Sequence, residues 1–134
     1  MSGLIIIRAL LTQAAPLVAL VPATQIAAGV MPQNSQLPAI ALTDISSTDR
    51  TTLRGQAVVK VTERVQITVI AKTLPELKTV MAAVRHACRN RVGNLAGFAG
   101  STCRLDGKGP DFSDAEAQFC MQTQDTLVTF NEVA

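Results

Sequence analysis

One change of rhythm constrains this chain more than any other feature. In "QAVVKVTERVQITVIAKTLPELKTVMAAVRHAC", residues 56 to 88, the side chains first alternate and then fall three and four apart. Ala57, Val59, Val61, Val65, Ile67, Val69 and Ala71 share one face of an extended chain, broken only by Glu63. Lys60, Thr62, Arg64, Gln66 and Thr68 share the other. One covered face and one wetter face is the pattern of an antiparallel sheet. From Thr73 the period becomes helical, with Leu77, Val80, Met81, Val84 and Cys88 in one stripe. Thr73, Leu74, Pro75 and Glu76 fit a capping box, in which the Thr73 hydroxyl accepts from the Glu76 amide and Glu76 reaches back to the Thr73 amide. Pro75 falls in the first turn, where its missing N–H breaks no helical bond. Arg89 and Arg91 follow the helix and complement its dipole. A strand that turns at once into a helix is a corner where enzymes often place chemistry. This corner contains no nucleophile, no phosphate loop and no metal ligand.

The rest of the chain arranges itself around that unit. Leu4, Ile7, Leu11 and Ala14 keep helical spacing, so a first helix is expected over residues 2 to 14, ending before Pro16. "PLVALV" adds one more turn, which Pro22 ends. This N-terminal run is interrupted by Arg8, Thr12, Gln13 and Pro16 and has no basic leader, so it reads as a core helix rather than a signal or an anchor. A short extended piece and a polar turn follow, then a strand over residues 39 to 47. That strand and the next form a long hairpin with residues 48 to 55 at its tip. Residues 93 to 116 read as loop-rich, with five glycines, a proline and one short strand near 101 to 105. The C-terminal "QFCMQTQDTLVTFNEV" reads as one or two strands, with a bulge or turn where its apolar phase shifts near Asp125. The expected architecture is α+β: a single domain over residues 1 to 134, with a mostly antiparallel sheet and two main helices.

Composition narrows function by exclusion. Aromatics are 3% of the 134 residues, so the core is aliphatic and base stacking on single-stranded nucleic acid has few platforms. Cys88, Cys103 and Cys120 form no close pair and do not resemble a disulfide framework. His86 is the one histidine. No Gly-x-Ser-x-Gly surrounds a serine that could use it. His86 and Cys88 diverge on a helix, so zinc ligation with Cys103 and Cys120 is disfavoured. "LDGKGPDFSD" fails the spacing of a phosphate loop and of an EF-hand, and reads as a flexible surface loop. The bases of the second long helix could touch nucleic acid, but no helix-turn-helix or zinc-finger pattern accompanies them.

Charge is distributed unevenly. Residues 50 to 104 carry net +8 and residues 105 to 134 net −5, within an overall +2. Either the fold interleaves these segments and the charges compensate inside one subunit, or a basic and an acidic face meet between copies.

The order of these segments is similar to one known family. "LIIIRALLTQAAPLVALV", "LPAIALTDISSTDRTTLRG", "RVQITVIAKTLPELKTVMAAVRHAC" and "QDTLVTFNE" resemble the tail terminator, or tail completion, proteins of long-tailed phages. The resemblance covers most of the chain and is best between Pro38 and Cys88. It implies a virion protein, assembled in the host cytoplasm, that forms a hexameric ring on the head-proximal end of the tail tube. There it stops tube growth and meets a head-completion or neck protein, with genome DNA passing through the lumen unbound. No enzyme activity, cofactor or membrane is implied. Tube-related and head–tail joining proteins of similar fold are close alternatives, and a small cytosolic α+β binding module is a more distant one. Under this reading the candidate subunit or tube interface comprises Asp49, Arg50, Thr52 and Arg54 at the hairpin tip, with Lys108, Asp111 and Asp114 in the acidic segment.

Overall fold

The computed structural model describes residues 2–29, 37–50, 58–114 and 119–133. The N-terminal helix α1 (Ser2–Gln13) buries Ile6, Ile7 and Leu11, and Pro16 opens the short helix α2 (Ala15–Val18), which buries Leu17. A three-residue strand, β1 (Ile26–Ala28), then lies parallel to β2 (Ala39–Arg50). β2 pairs antiparallel with β3 (Val58–Ala71), which leads into α3 (Leu74–Cys88). Four more strands follow: β4 (Arg91–Leu95), β5 (Phe98–Lys108), β6 (Phe112–Asp114) and β7 (Phe119–Val133). The sheet runs β1-β2-β3-β7-β5-β4, with β6 continuing the β5 edge of β7. The long helices cover one face, so the chain is α+β with a mostly antiparallel sheet, as its period pattern requires.

The alternation read from β3 is the one observed. Val61, Glu63, Val65, Ile67, Val69 and Ala71 are buried, while the intervening residues are half-buried on the open face. Opposite them α3 buries Leu77, Val80, Met81, Val84, Ala87 and Cys88. The helix start matches the capping expectation with one correction. Thr73 Oγ1 accepts from the Glu76 amide at 3.4 Å, but the Glu76 carboxylate accepts from the Lys72 amide, not from Thr73. The helix end is closed by Arg91, whose guanidinium donates to the carbonyls of Ala87 (2.9 Å) and His86 (3.1 Å). Asn90 takes the left-handed conformation, φ 49°, that turns the chain into β4.

Three expectations are overturned. The described part of residues 93 to 116, up to Asp114, is not loop-rich but mostly strand. β4 and β5 form a hairpin over a two-residue turn, Ala96-Gly97, with φ of 54° and 87°, and both positive values suit the twist of the flanking strands. Buried Ser101 fixes this hairpin: its hydroxyl lies 2.7 Å from the Phe98 carbonyl and 3.1 Å from that of Gly93, and accepts from the Leu95 amide. Second, "LDGKGPDFSD" is not a flexible loop. Asp106 to Lys108 complete β5 and Phe112 to Asp114 are β6. Gly109 sits so close to β7 that a Cβ there would lie 2.6 Å from Thr123 Oγ1. Third, β7 is one continuous 15-residue strand, in unbroken register with β3 from Val58↔Val133 to Ala71↔Cys120. The bulge lies on β5, between Leu105 and Lys108. The apparent phase shift arises because the covered face of β7 carries polar Gln122, Gln124 and Thr126, all buried. Each is bonded: Gln122 to the Gly109 carbonyl (2.8 Å), Gln124 to those of Asp125 (2.9 Å) and Gly107 (3.3 Å), and Thr126 to that of Val65 (2.9 Å).

Candidate functional site

The seven candidate interface residues divide into two groups. Asp49 and Arg50 end β2, with backbones paired to Val61 and Lys60. They therefore lie within a strand, because the hairpin extends further than the sequence implied. Thr52 and Arg54 lie outside the described residues. Lys108, Asp111 and Asp114 fall towards the other end of β7: Lys108 pairs with Gln124 and Asp114 with Phe119. Lys60 pairs with Asn131, so the two groups are separated by at least ~23 Å of extended β7. They do not make one surface.

The hairpin arm has a distinctive construction. β1 covers β2 only along Ile40 to Leu42. From Thr43 to Thr48 every β2 residue is exposed, including Ile45, and no described strand pairs with the outer edge. On its inner side β3 and β7 remain paired to the end. Along this stretch β5 still pairs with the far side of β7, so β2 is the open edge of a wider sheet.

Part of the charge asymmetry is resolved inside the subunit. β3 lies beside β7, and this adjacency brings the basic middle against the acidic C-terminal segment. The Arg64 guanidinium pairs with Asp106 and, at 3.2 Å, with Asp125; Lys78 pairs with Asp111 at 2.9 Å. The Asp106 hydrogen bond above all, with help from Asp125, raises the Arg64 pKa and holds it charged. All these groups are partly exposed, so the pairs fix local geometry more than they add stability.

Two surface features stand out on this side, the first of them basic. Arg85, His86 and Arg89 line a shallow depression of about 260 Å³ on the flank of α3, and no described carboxylate pairs with either arginine. Next to it a groove of about 370 Å³ opens between the C-terminal ends of α1 and α3 and strand β4, lined by apolar Leu10, Ala14, Ala87, Val92 and Leu95 together with Gln13 and Arg91. Sequence reasoning missed this groove, because its walls come from three distant segments. Exposed Val92, just past the helix, was the one local signal.

The residues considered for chemistry are scattered. His86 is exposed, and its imidazole makes no hydrogen bond to a described residue. Cys88, Cys103 and Cys120 are buried, unpaired thiols. Cys88 hydrogen-bonds with Cys103, and that bond together with burial pushes its pKa well up, the opposite of what a thiolate nucleophile needs. Among the described residues no three His, Cys, Asp or Glu side chains converge on a possible metal position. No described helix is long and apolar enough to cross a membrane.

The family model for tail completion protein gp17 matches residues 6–128. The chain belongs to the tail completion protein gp17 family. It is therefore a structural protein of a phage-like virion, located in the tail. A chain from the solved virion of a native gene transfer agent particle is similar in fold, with a TM-score of 0.74 and 16% identity. That likeness covers 94% of this chain and 92% of the other. No curated protein matches the sequence. The mapped features of this tail completion protein are the open β2 edge, an open sheet face, a basic helix flank and a groove.

Proposed function

We propose that the protein forms a hexameric ring at the head-proximal end of the tail tube, where it ends tube polymerisation and provides the joint to a head-completion or neck protein. It does this without catalysis or a cofactor, and genome DNA passes through the ring without specific binding. The observation that carries the reading is the match to a tail completion family along most of the chain. The construction of the subunit supports it. A ring closes by a head-to-tail contact that needs two unlike patches on each copy, and this subunit presents the open edge of β2 beside one end of β7 and the segment of Asp111 and β6 at the other.

The test is loss and replacement. Particles made without the protein are expected to carry tails of uncontrolled length and no joined heads, and negative-stain images of tube ends are expected to show a ring only when the protein is present. Tails of normal length without it would remove the termination role and leave the head–tail joining alternative. The arm is tested separately by Arg50→Glu with Arg54→Glu. These changes are expected to impair assembly in a folded subunit; rings and joined heads in normal number from the double variant would exclude the arm as the contact. A Cys88→Ala, His86→Ala variant with normal assembly would speak against any chemical role for those residues.

A further inference from the structure

Val92 and Phe112 are the most exposed large hydrophobic side chains among the described residues, at 75% and 54%. Covering either would remove apolar surface from water. Val92 stands at the rim of the groove formed by Leu10, Ala14, Ala87 and Leu95, at the C-terminal end of α3. Phe112 stands on β6, near the N-terminal end of the same helix, since the adjacent Asp111 pairs with Lys78. It leans on Phe119, with ring centroids 6.4 Å apart, and shares a sheet face with Met121. One patch is a projecting aromatic and the other a recess, and they lie towards opposite ends of a 15-residue helix. They cannot meet within one copy.

The two patches are also complementary in size and charge. A cavity of about 150 Å³ accepts a benzene ring, and the groove offers about 370 Å³. Beside the groove stand Arg85, His86 and Arg89, with no described carboxylate on either arginine. Phe112 is bracketed in sequence by Asp111 and Asp114. The Asp111 carboxylate is half-exposed in its pair with Lys78, so it can accept a second donor.

We propose that the occupant of the groove is a second copy of this chain, which inserts Phe112 between α1, α3 and β4 of its neighbour and sets Asp111 against the neighbour's Arg85 and Arg89. The contact is heterologous, so repeating it generates a ring or a helix and not a closed pair. It rests on the ring reading above and adds the residues that close the ring. Apolar insertion supplies the affinity, and the opposite charges set orientation and exclude wrong registers.

The experiment is disulfide trapping in assembled particles. The native thiols are buried, so particles carrying a Val92→Cys, Phe112→Cys double variant and oxidised mildly are expected to yield a ladder of covalent multimers of this chain on denaturation. Either single variant is expected to yield none. A ring visible on tube ends with no ladder from the double variant overturns the contact while leaving the ring reading intact. No ring on wild-type tube ends removes both. A Val92→Cys adduct to a different tail or neck protein also overturns the proposal, by showing another occupant. As a second measurement, Val92→Asp leaves the core untouched and is expected to reduce joined particles at least tenfold; unchanged yield counts against insertion.

Discussion

Glu63 is the residue whose environment departs most from its type. It occupies a core position of β3, is 4% exposed, and its carboxylate accepts from the Gly3 amide at 3.4 Å. Burial first, and a hydrogen bond with Asp44 second, raise its pKa above the ordinary glutamate value. The folded protein therefore binds this proton more tightly than the unfolded chain does. That contribution to stability is complete below the ordinary glutamate range and is lost as pH rises through the raised value. Glu63→Gln is expected to flatten this part of the pH dependence and to raise the thermal midpoint at neutral pH relative to wild type. Equal slopes for the two proteins would show that the buried carboxyl is not the source. Phe130 is a more conventional core position: it is fully buried, with its ring edge-on to Phe98 at 5.7 Å. Phe130→Ala is expected to cost about 3–5 kcal/mol in denaturant unfolding. A loss under ~1 kcal/mol would mean that the aliphatic neighbours collapse into the space.

Among the elements, α3 and β7 carry the arrangement. The Thr73 cap holds the entry to α3, so Thr73→Ala is expected to cost about 1 kcal/mol. β7 is paired on both edges, with β3 along its length and with β5 or β6 over most of it. Its amides between Met121 and Thr129 are expected to exchange slowest in the protein, and those on the open edge of β2 beyond Thr43 fastest among the strands. Fast exchange in mid-β7 would contradict its central place. These elements were legible to different degrees, for physical reasons. β3 and α3 were clear because each buries one face and its apolar residues record that face. β7 was read with a break because buried Gln122, Gln124 and Thr126 bond to carbonyls, most of them on other segments, that the β7 sequence alone cannot reveal. The β4–β5 hairpin was missed because its turn is Ala96-Gly97, without the Asn-Gly or Asp-Gly that usually marks positive φ, and because glycines 93, 97 and 100 resembled loop punctuation.

At the scale of the molecule, the sheet adjacency decides where charge goes. The basic middle and the acidic C-terminal segment meet through Arg64 and Lys78, and positive charge on α3 without a described carboxylate partner stands beside a mainly apolar groove. A chain of this length with one continuous core from Ile6 to Phe130 is expected to unfold in one cooperative step. Non-coincident transitions by far-ultraviolet circular dichroism and by amide exchange would instead divide the arm from the body. The sequence by itself determined the α+β class, the β3–α3 corner, the helical N-terminus and the resemblance to tail completion proteins, because these depend on local period, capping and order. Only the tertiary structure decided which strands are neighbours, where the buried polar row finds its partners, and that Val92 and Phe112 stand exposed at opposite ends of one helix. Those facts depend on contacts between segments far apart in the chain, and no local pattern encodes them.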